Sequence, residues 1–355
     1  MKKYFAFLVI GLLFSCSKTP VETVFFNFDN QSGVFIVNEG NFMFGNASLS
    51  FYQYNQNRVF QQIFQARNQA PLGDVAQSME LHNGLAWVVI NNSGKIYVAD
   101  ANTMEYQATI TGLNSPRYIH FINDDKAYVS DLYSSSIHII HPKTYQKIGE
   151  INLQAENKRR SSEQLIAFDD YVFTNCWSNG NEVLVIDSRS NNLVKSIEVG
   201  AQPQSMVLDK NNKLWVLCDG AYEGHAFYWE RPALVRIDAP TLEVEKLYFF
   251  DLETNPTSLE INGTKDTLYY INRNIYRMPV LSSMLPEEPF IESTYPTDYG
   301  GFYSLGIHPF TSEIFISDAI DHQQNGMIYK YHPDGHFVES FTAGVNPGAF
   351  YFKNN

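Results

Sequence analysis

Pro203-Gln204-Ser205-Met206-Val207-Leu208 is a strand-sized run followed by the polar turn Asp209-Lys210-Asn211-Asn212 and a second apolar run, LWVLCD (Leu214–Asp219). The same opening recurs in degraded form at Ala76–Leu81 (AQSMEL), Pro116–Phe121 (PRYIHF), Glu163–Phe168 (EQLIAF), Pro256–Ile261 (PTSLEI), Phe302–Ile307 (FYSLGI) and Pro347–Phe352 (PGAFYF). Six of these seven openings lead into a second run, as in AWVVIN, AYVSD, YVFTN, LYYIN and IFISD. Third runs are rich in β-branched residues (KIYVAD, SIHIIH, EVLVID, ALVRID, MIYKYH), and fourth runs include Tyr145–Ile151 and Val194–Val199. Four short strands per repeat of about forty-five residues, with turn residues between them, is the signature of a propeller blade.

The two ends of the chain complement each other. Val34–Asn38 (VFIVN) reads as a second strand with no first strand ahead of it, and PGAFYF reads as a first strand with nothing after it. If the C-terminal strand completes the N-terminal blade, the protein is an all-β, seven-bladed β-propeller with no open sheet edge. Every second strand ends in an Asx residue: Asn38, Asn91, Asp131, Asn175, Asp219, Asn272 and Asp318. The spacing predicts Asx turns that close each strand into its loop; a cation held by this ring of oxygens is the alternative.

Ahead of the repeats lies a leader. Lys2 and Lys3 precede an apolar run, Tyr4–Phe14, too short for a bilayer span of about 20 residues. The order of basic, apolar and small residues reads as a secretory signal over residues 1–15. Leu13-Phe14-Ser15-Cys16 has the form of a bacterial lipobox, with Cys16 as the lipidated first residue of the mature chain and 16–32 as lipidated cysteine plus tether. Residues 33–355 are then the propeller, anchored to a membrane without crossing it. The formal net charge is −13, and loss of Lys2 and Lys3 with the leader takes it to −15 (−13 − 2). That sign argues against a nucleic-acid partner. Cys176 and Cys218 read as buried free thiols, with a bridge as the alternative.

Loops leaving the second strands share one mouth of the funnel with the loops leading into the first strands, and connections carry function more often than scaffold. These loops supply Asn92 and Tyr133, then Trp177, Asn179 and Asn181, then the long run Tyr222, Glu223, His225, Phe227, Tyr228, Trp229, Glu230 and Arg231, and finally Asp321 and His322. The segments leading into the first strands add Gln77, Arg117, Arg160, Gln164, Gln204, Tyr299 and Tyr303. Aromatic faces beside amides and cations suit an amphipathic small molecule. The candidate ligand-binding set is Gln77, Asn92, Arg117, Tyr133, Arg160, Trp177, Asn179, Gln204, Tyr222, Tyr228, Trp229, Tyr303 and Asp321. Phe42 and Phe227 are the rings most readily explained by packing under their own loops.

The sequence has no G-x-S-x-G elbow, HExxH or P-loop, so no catalytic residue, metal or cofactor is expected and the chain reads as a binding protein and not an enzyme. A propeller lactonase or lyase would need three or four of Glu39, Asn175, Asp219 and Asp318 to converge on one divalent ion. A protein- or glycan-interaction platform is the further alternative.

The run FIVNEGNFMFGNASLSFYQYN (Phe35–Asn55), the strands ending in Asn or Asp and the lipobox together resemble the surface-layer-like propeller lipoproteins of gut Gram-negative bacteria. Within these the chain is most similar to the BtuG type, which captures vitamin B12 at the cell surface. The resemblance covers nearly all of the mature chain. It implies a lipoprotein on the outer membrane facing the exterior, which holds cobalamin or a related corrinoid across the funnel mouth and passes it to a TonB-dependent outer-membrane transporter. The tether Ser17–Thr23 departs from the pattern, lacking the acidic cluster often found behind the cysteine of surface-exported lipoproteins, and this leaves the leaflet open.

Overall fold

Each repeat folds into an antiparallel sheet in a computed structural model that describes residues 26–155, 160–225, 227, 229–293 and 301–354. The signal, Cys16 and Tyr228 lie outside these residues. Blades 2 to 5 run in simple sequence order, for example Ala76–His82, Leu85–Ile90, Lys95–Asp100 and Tyr106–Ile110 in blade 2. Blade 1 is composite: Pro347–Lys353 pairs antiparallel with Gly33–Asn38, which pairs with Ser48–Gln53 and then Arg58–Phe60. The C-terminal strand therefore closes the ring, and the fold is a seven-bladed β-propeller. Each first strand contacts the first strands of both neighbouring blades, so the innermost layer is a complete circle.

The strand order explains the composition of each run. A second strand is covered on both faces by neighbouring blades and is therefore apolar without alternation; all six residues of Gly33–Asn38 are buried. Outer strands face water and alternate, as in Gln146–Asn152. Large rings of the second strands fill the wedges between blades. Trp215 is buried with Leu259, Leu268 and Tyr270 of the next blade, and its Nε1 donates to Asp209 (2.9 Å). Trp→Ala at such a site costs about 3–5 kcal/mol.

Three features depart from the repeat. Among the described residues blade 6 has three paired strands (Thr257–Ile261, Thr267–Asn272, Asn274–Pro279) plus a single bridge from Ile275 to Ile291. A short helix, Ile63–Asn68, joins blades 1 and 2 and buries Ile63 and Phe64. The segment expected as a tether is packed from Phe26 onward: Phe26 and Phe28 are buried, the Phe28 ring lies 4.1 Å from that of Phe51, and the Phe28 N–H donates to the Asn102 carbonyl (2.8 Å). The two phenylalanines, separated by the exposed Asn27, gain more from the blade 1 core than from water, which pulls the boundary forward. Cys176 and Cys218 are both buried free thiols.

Candidate functional site

The first strands enter the ring side by side, and their side chains sew one blade to the next. Ser78 Oγ donates to the Arg117 carbonyl (2.6 Å), and Ser304 Oγ to the Pro347 carbonyl (2.8 Å). The Met206 N–H donates to Gln164 Oε1 (2.6 Å), the Ser258 N–H to Gln204 Oε1 (3.1 Å), and the Leu259 N–H to Ser205 Oγ (3.1 Å). The Asx residues at the second-strand ends join in. Asn91 Nδ2 reaches Ser115 Oγ (2.7 Å) and Asn175 Nδ2 the Pro203 carbonyl (2.5 Å), each in the following blade. Asp131 closes an Asx turn onto the N–H groups of Tyr133 and Ser134 (both 3.0 Å) and also accepts from Asn114 and Ser115. The Asx ring is thus a seam as well as a set of turns. Among the described residues no three His, Cys, Asp or Glu side chains converge as a metal site.

Inside this seam lies a cavity of about 1240 Å³. Its wall is built from first strands and the segments just before them, among them Gln77, Arg117, Gln164, Gln204, Thr257 and Tyr303. Its mouth carries Glu39, Trp177, Asn272, Arg273 and His322 from the loops that leave the second strands. It continues towards a recess of about 160 Å³ lined by Glu80, Tyr118, His120 and Tyr351.

The wall contains a buried polar chain. Arg117 Nε donates to Glu163 Oε2 (2.6 Å) and Nη1 to Gln77 Oε1 (2.5 Å). Tyr303 Oη donates to Glu39 Oε2 (2.9 Å). Glu39 fits because residue 348 is glycine: a Cβ there would lie 2.0 Å from Glu39 Oε1. Burial raises the carboxyl pKa of Glu39 and Glu163 above the ordinary value, opposed by the Tyr303 hydrogen bond and then Arg117 at Glu39, and by Arg117 at Glu163. Burial also lifts Glu260 to about 8 and Glu80 to about 7. Tyr118, beside Arg117, is pushed up to about 12 by burial, against the charge of Arg117. Trp177 Nε1 donates to Asp219 Oδ2 (2.8 Å); burial lifts Asp219 to about 6, with this hydrogen bond opposing.

The structure brings together five residues of the expected set: Gln77, Arg117, Trp177, Gln204 and Tyr303 line the cavity. The others do not. Arg160 clamps Glu182 through Nε and Nη2 (3.0 and 3.2 Å) and is turned into its own blade. Asn92 Nδ2 is spent on Asp74 (2.5 Å), which also accepts from the Met43 N–H, so it ties two loops together. Asn179 sits at φ 54° in the tight turn that Gly180 N–H closes onto Trp177. Asp321 caps its own loop through the Gln323 and Gln324 N–H groups (2.9 and 3.0 Å). Tyr133, Tyr222 and Trp229 stand out from the surface, with Tyr222 70% exposed and edge-on to His225. Loop membership alone does not aim a ring into the funnel. Nor do Asn175, Asp219 and Asp318 meet Glu39 at one point; Asn175 is held by the seam and Asp219 by Trp177.

Glu39, Tyr118, Glu163, Gln164 and Thr257 were missing from the expected set. The signal was present in the repeat itself: aligned on their openings, the seven motifs put Gln77, Arg117, Gln164, Gln204, Thr257, Tyr303 and Gly348 at the same second position, and this register forms the wall.

Several solved structures share the fold. A quinoprotein alcohol dehydrogenase-like protein from Bacteroides thetaiotaomicron is 17% identical with a TM-score of 0.71, over 92% of this chain and 79% of that one. A functionally unknown protein from Desulfotomaculum acetoxidans is 12% identical with a TM-score of 0.63, over 90% and 98%. The dihydro-heme d1 dehydrogenase NirN, solved in complex with DHE, is 10% identical with a TM-score of 0.60, over 90% and 74%. At these identities the likeness shows the fold alone. No curated protein matches the chain. Residues 32–342 match the family described as a domain of unknown function, DUF5074, and the chain, a seven-bladed propeller with a polar funnel, belongs to that family.

Proposed function

We propose that this propeller captures a large amphipathic small molecule, a corrinoid of the cobalamin class, in its funnel and performs no chemistry on it. The observation that carries the reading is the cavity of about 1240 Å³. It exceeds the roughly 300–1,000 Å³ of ordinary ligand pockets, and amide, hydroxyl and aromatic groups line it together. A corrin macrocycle fringed with amides offers flat apolar faces to Trp177, Tyr303 and Phe302 and polar edges to Gln77, Gln164, Gln204, Asn255 and Asn274, all in the lining. The dihydro-heme d1 dehydrogenase NirN, similar to this chain in fold, was solved in complex with DHE, which supports reading the propeller as a ligand-holding scaffold. The lipobox at Cys16 and the resemblance to BtuG-type lipoproteins extend the proposal: a lipid-anchored outer-membrane protein that hands its cargo to a TonB-dependent transporter.

Calorimetric titration of the purified protein with cyanocobalamin tests the capture step. Saturable one-to-one binding below micromolar concentration is expected. Absence of heat and of any shift in the corrin absorption bands at tens of micromolar would overturn it.

A further inference from the structure

Three glutamines stand in the wall, and the direction of each amide is fixed by its partner. A backbone N–H can only donate, so the Met206 N–H at 2.6 Å compels Gln164 to present its carbonyl oxygen there, and the Ser258 N–H at 3.1 Å does the same to Gln204. Gln77 is used at both ends: Oε1 accepts from Arg117 and its amide shares a hydrogen bond with the Tyr118 hydroxyl. Gln164 and Gln204 are used at one end only. Their Nε2 groups, two N–H donors each, have no partner among the described residues, and both side chains line the cavity. Beside them, Glu163 is 3% exposed and lines the same cavity, and its Oε1 has no hydrogen-bond partner. Glu39 and Glu260 add further carboxyl groups to the lining, and Arg117 is the cation beside Glu163 and Glu39.

We infer that Gln164 and Gln204 are the specificity-determining donors of the funnel, and that it takes ligands whose fringe carries neutral carboxamides in preference to the same ligands bearing carboxylates. The carboxamide oxygen accepts from the two free amide nitrogens and the carboxamide N–H groups can donate to the unpartnered Glu163 Oε1, whereas a carboxylate fringe has no donor to offer that oxygen. The inference rests on the corrinoid-capture reading and deepens it.

The test titrates cyanocobalamin, and cyanocobalamin with one peripheral carboxamide hydrolysed to a carboxylate, into the wild-type protein and into Gln164→Glu and Gln204→Glu. Glutamate keeps an oxygen for the Met206 or Ser258 N–H, so the seam is preserved, and an unchanged melting temperature verifies this. Each substitution is expected to weaken cyanocobalamin binding at least tenfold, and the wild-type protein to bind the carboxylate form at least tenfold more weakly than the amide form. Undiminished affinity in both well-folded variants, with amide and carboxylate forms bound equally by the wild-type protein, would overturn the inference while leaving capture intact. Should a variant fail to fold, the comparison of the two ligands on wild-type protein decides alone. No binding of either ligand by the wild-type protein would overturn capture and the inference together.

Discussion

The funnel wall and the rim loops sit at the same end of the propeller and differ in what holds them. Wall side chains rise from strands paired on one edge and stitched to the next blade, so Arg117, Gln164 and Gln204 each have an atom fixed by a partner in the structure. Rim side chains rise from loops that satisfy themselves: Asp321 caps its own turn, Asn92 binds a neighbouring loop, and Phe42, Met43 and Phe44 are exposed at 65–78%. A binding site gains from side chains ordered before the ligand arrives, because their entropy is already lost on folding. By that criterion the wall is the candidate site and the rim is its surround.

The largest expected difference between the two regions is in stability. Arg117→Ala leaves Glu163 and Glu39 in the wall without their cation, and breaking a buried pair in this way costs about 3–5 kcal/mol. Arg231, on the rim, pairs loosely with an exposed Asp251 (3.8 Å) and donates Nε to the Phe250 carbonyl (2.7 Å). Its alanine variant is expected to lose only about 1 kcal/mol. Urea denaturation of both variants measures the contrast, and equal losses would break it.

A smaller effect separates the regions by pH. Glu260 titrates near 8 and Glu80 near 7 in the folded wall, against 4.5 for an unperturbed glutamate. Between those values the folded state binds more protons than the unfolded state, so stability is highest at acid pH and falls as pH rises through about 8. Glu260→Gln is therefore expected to raise the melting temperature at pH 9 by at least about 2 °C and to leave it nearly unchanged at pH 5. Thermal melts at the two pH values check this. Rim carboxylates behave oppositely: the Gln324 and Gln323 N–H groups hold Asp321 below its ordinary value, so its contribution is present at neutral pH and lost on acidification.

The fold was legible because a blade writes itself into sequence four times over. Continuous apolar runs mark strands covered on both faces, alternation marks the outermost strand, and the orphan strands Gly33–Asn38 and Pro347–Lys353 each imply the other. The segment 16–32 was less legible: an isolated Phe-Phe-Asn-Phe has no period, and the burial of Phe26 and Phe28 depends on a groove made by blades 1 and 2. The site was half legible. Gln77, Arg117, Gln204 and Tyr303 are legible as residues leading into the first strands and Trp177 as a loop aromatic, and in the structure the bond to Asp219 holds that ring at the cavity. Tyr133, Tyr222 and Trp229 misled because an aromatic in a loop carries no directional signal; the backbone of that loop decides where the ring points. Glu39 escaped the expected set because the space it occupies is created by Gly348, more than 300 residues away in sequence.

The most direct test of the wall as the binding surface is a side-by-side calorimetric titration of cyanocobalamin into Trp177→Ala and Trp229→Ala. Trp177 faces the cavity and Trp229 stands 45% exposed on the rim. Loss of an anchor in a desolvated pocket costs more than ~1 kcal/mol, whereas peripheral contacts are nearly neutral. The account predicts at least tenfold weaker binding for Trp177→Ala and an affinity within about twofold of wild type for Trp229→Ala. Unchanged binding in Trp177→Ala with a large loss in Trp229→Ala would contradict it and move the site to the rim.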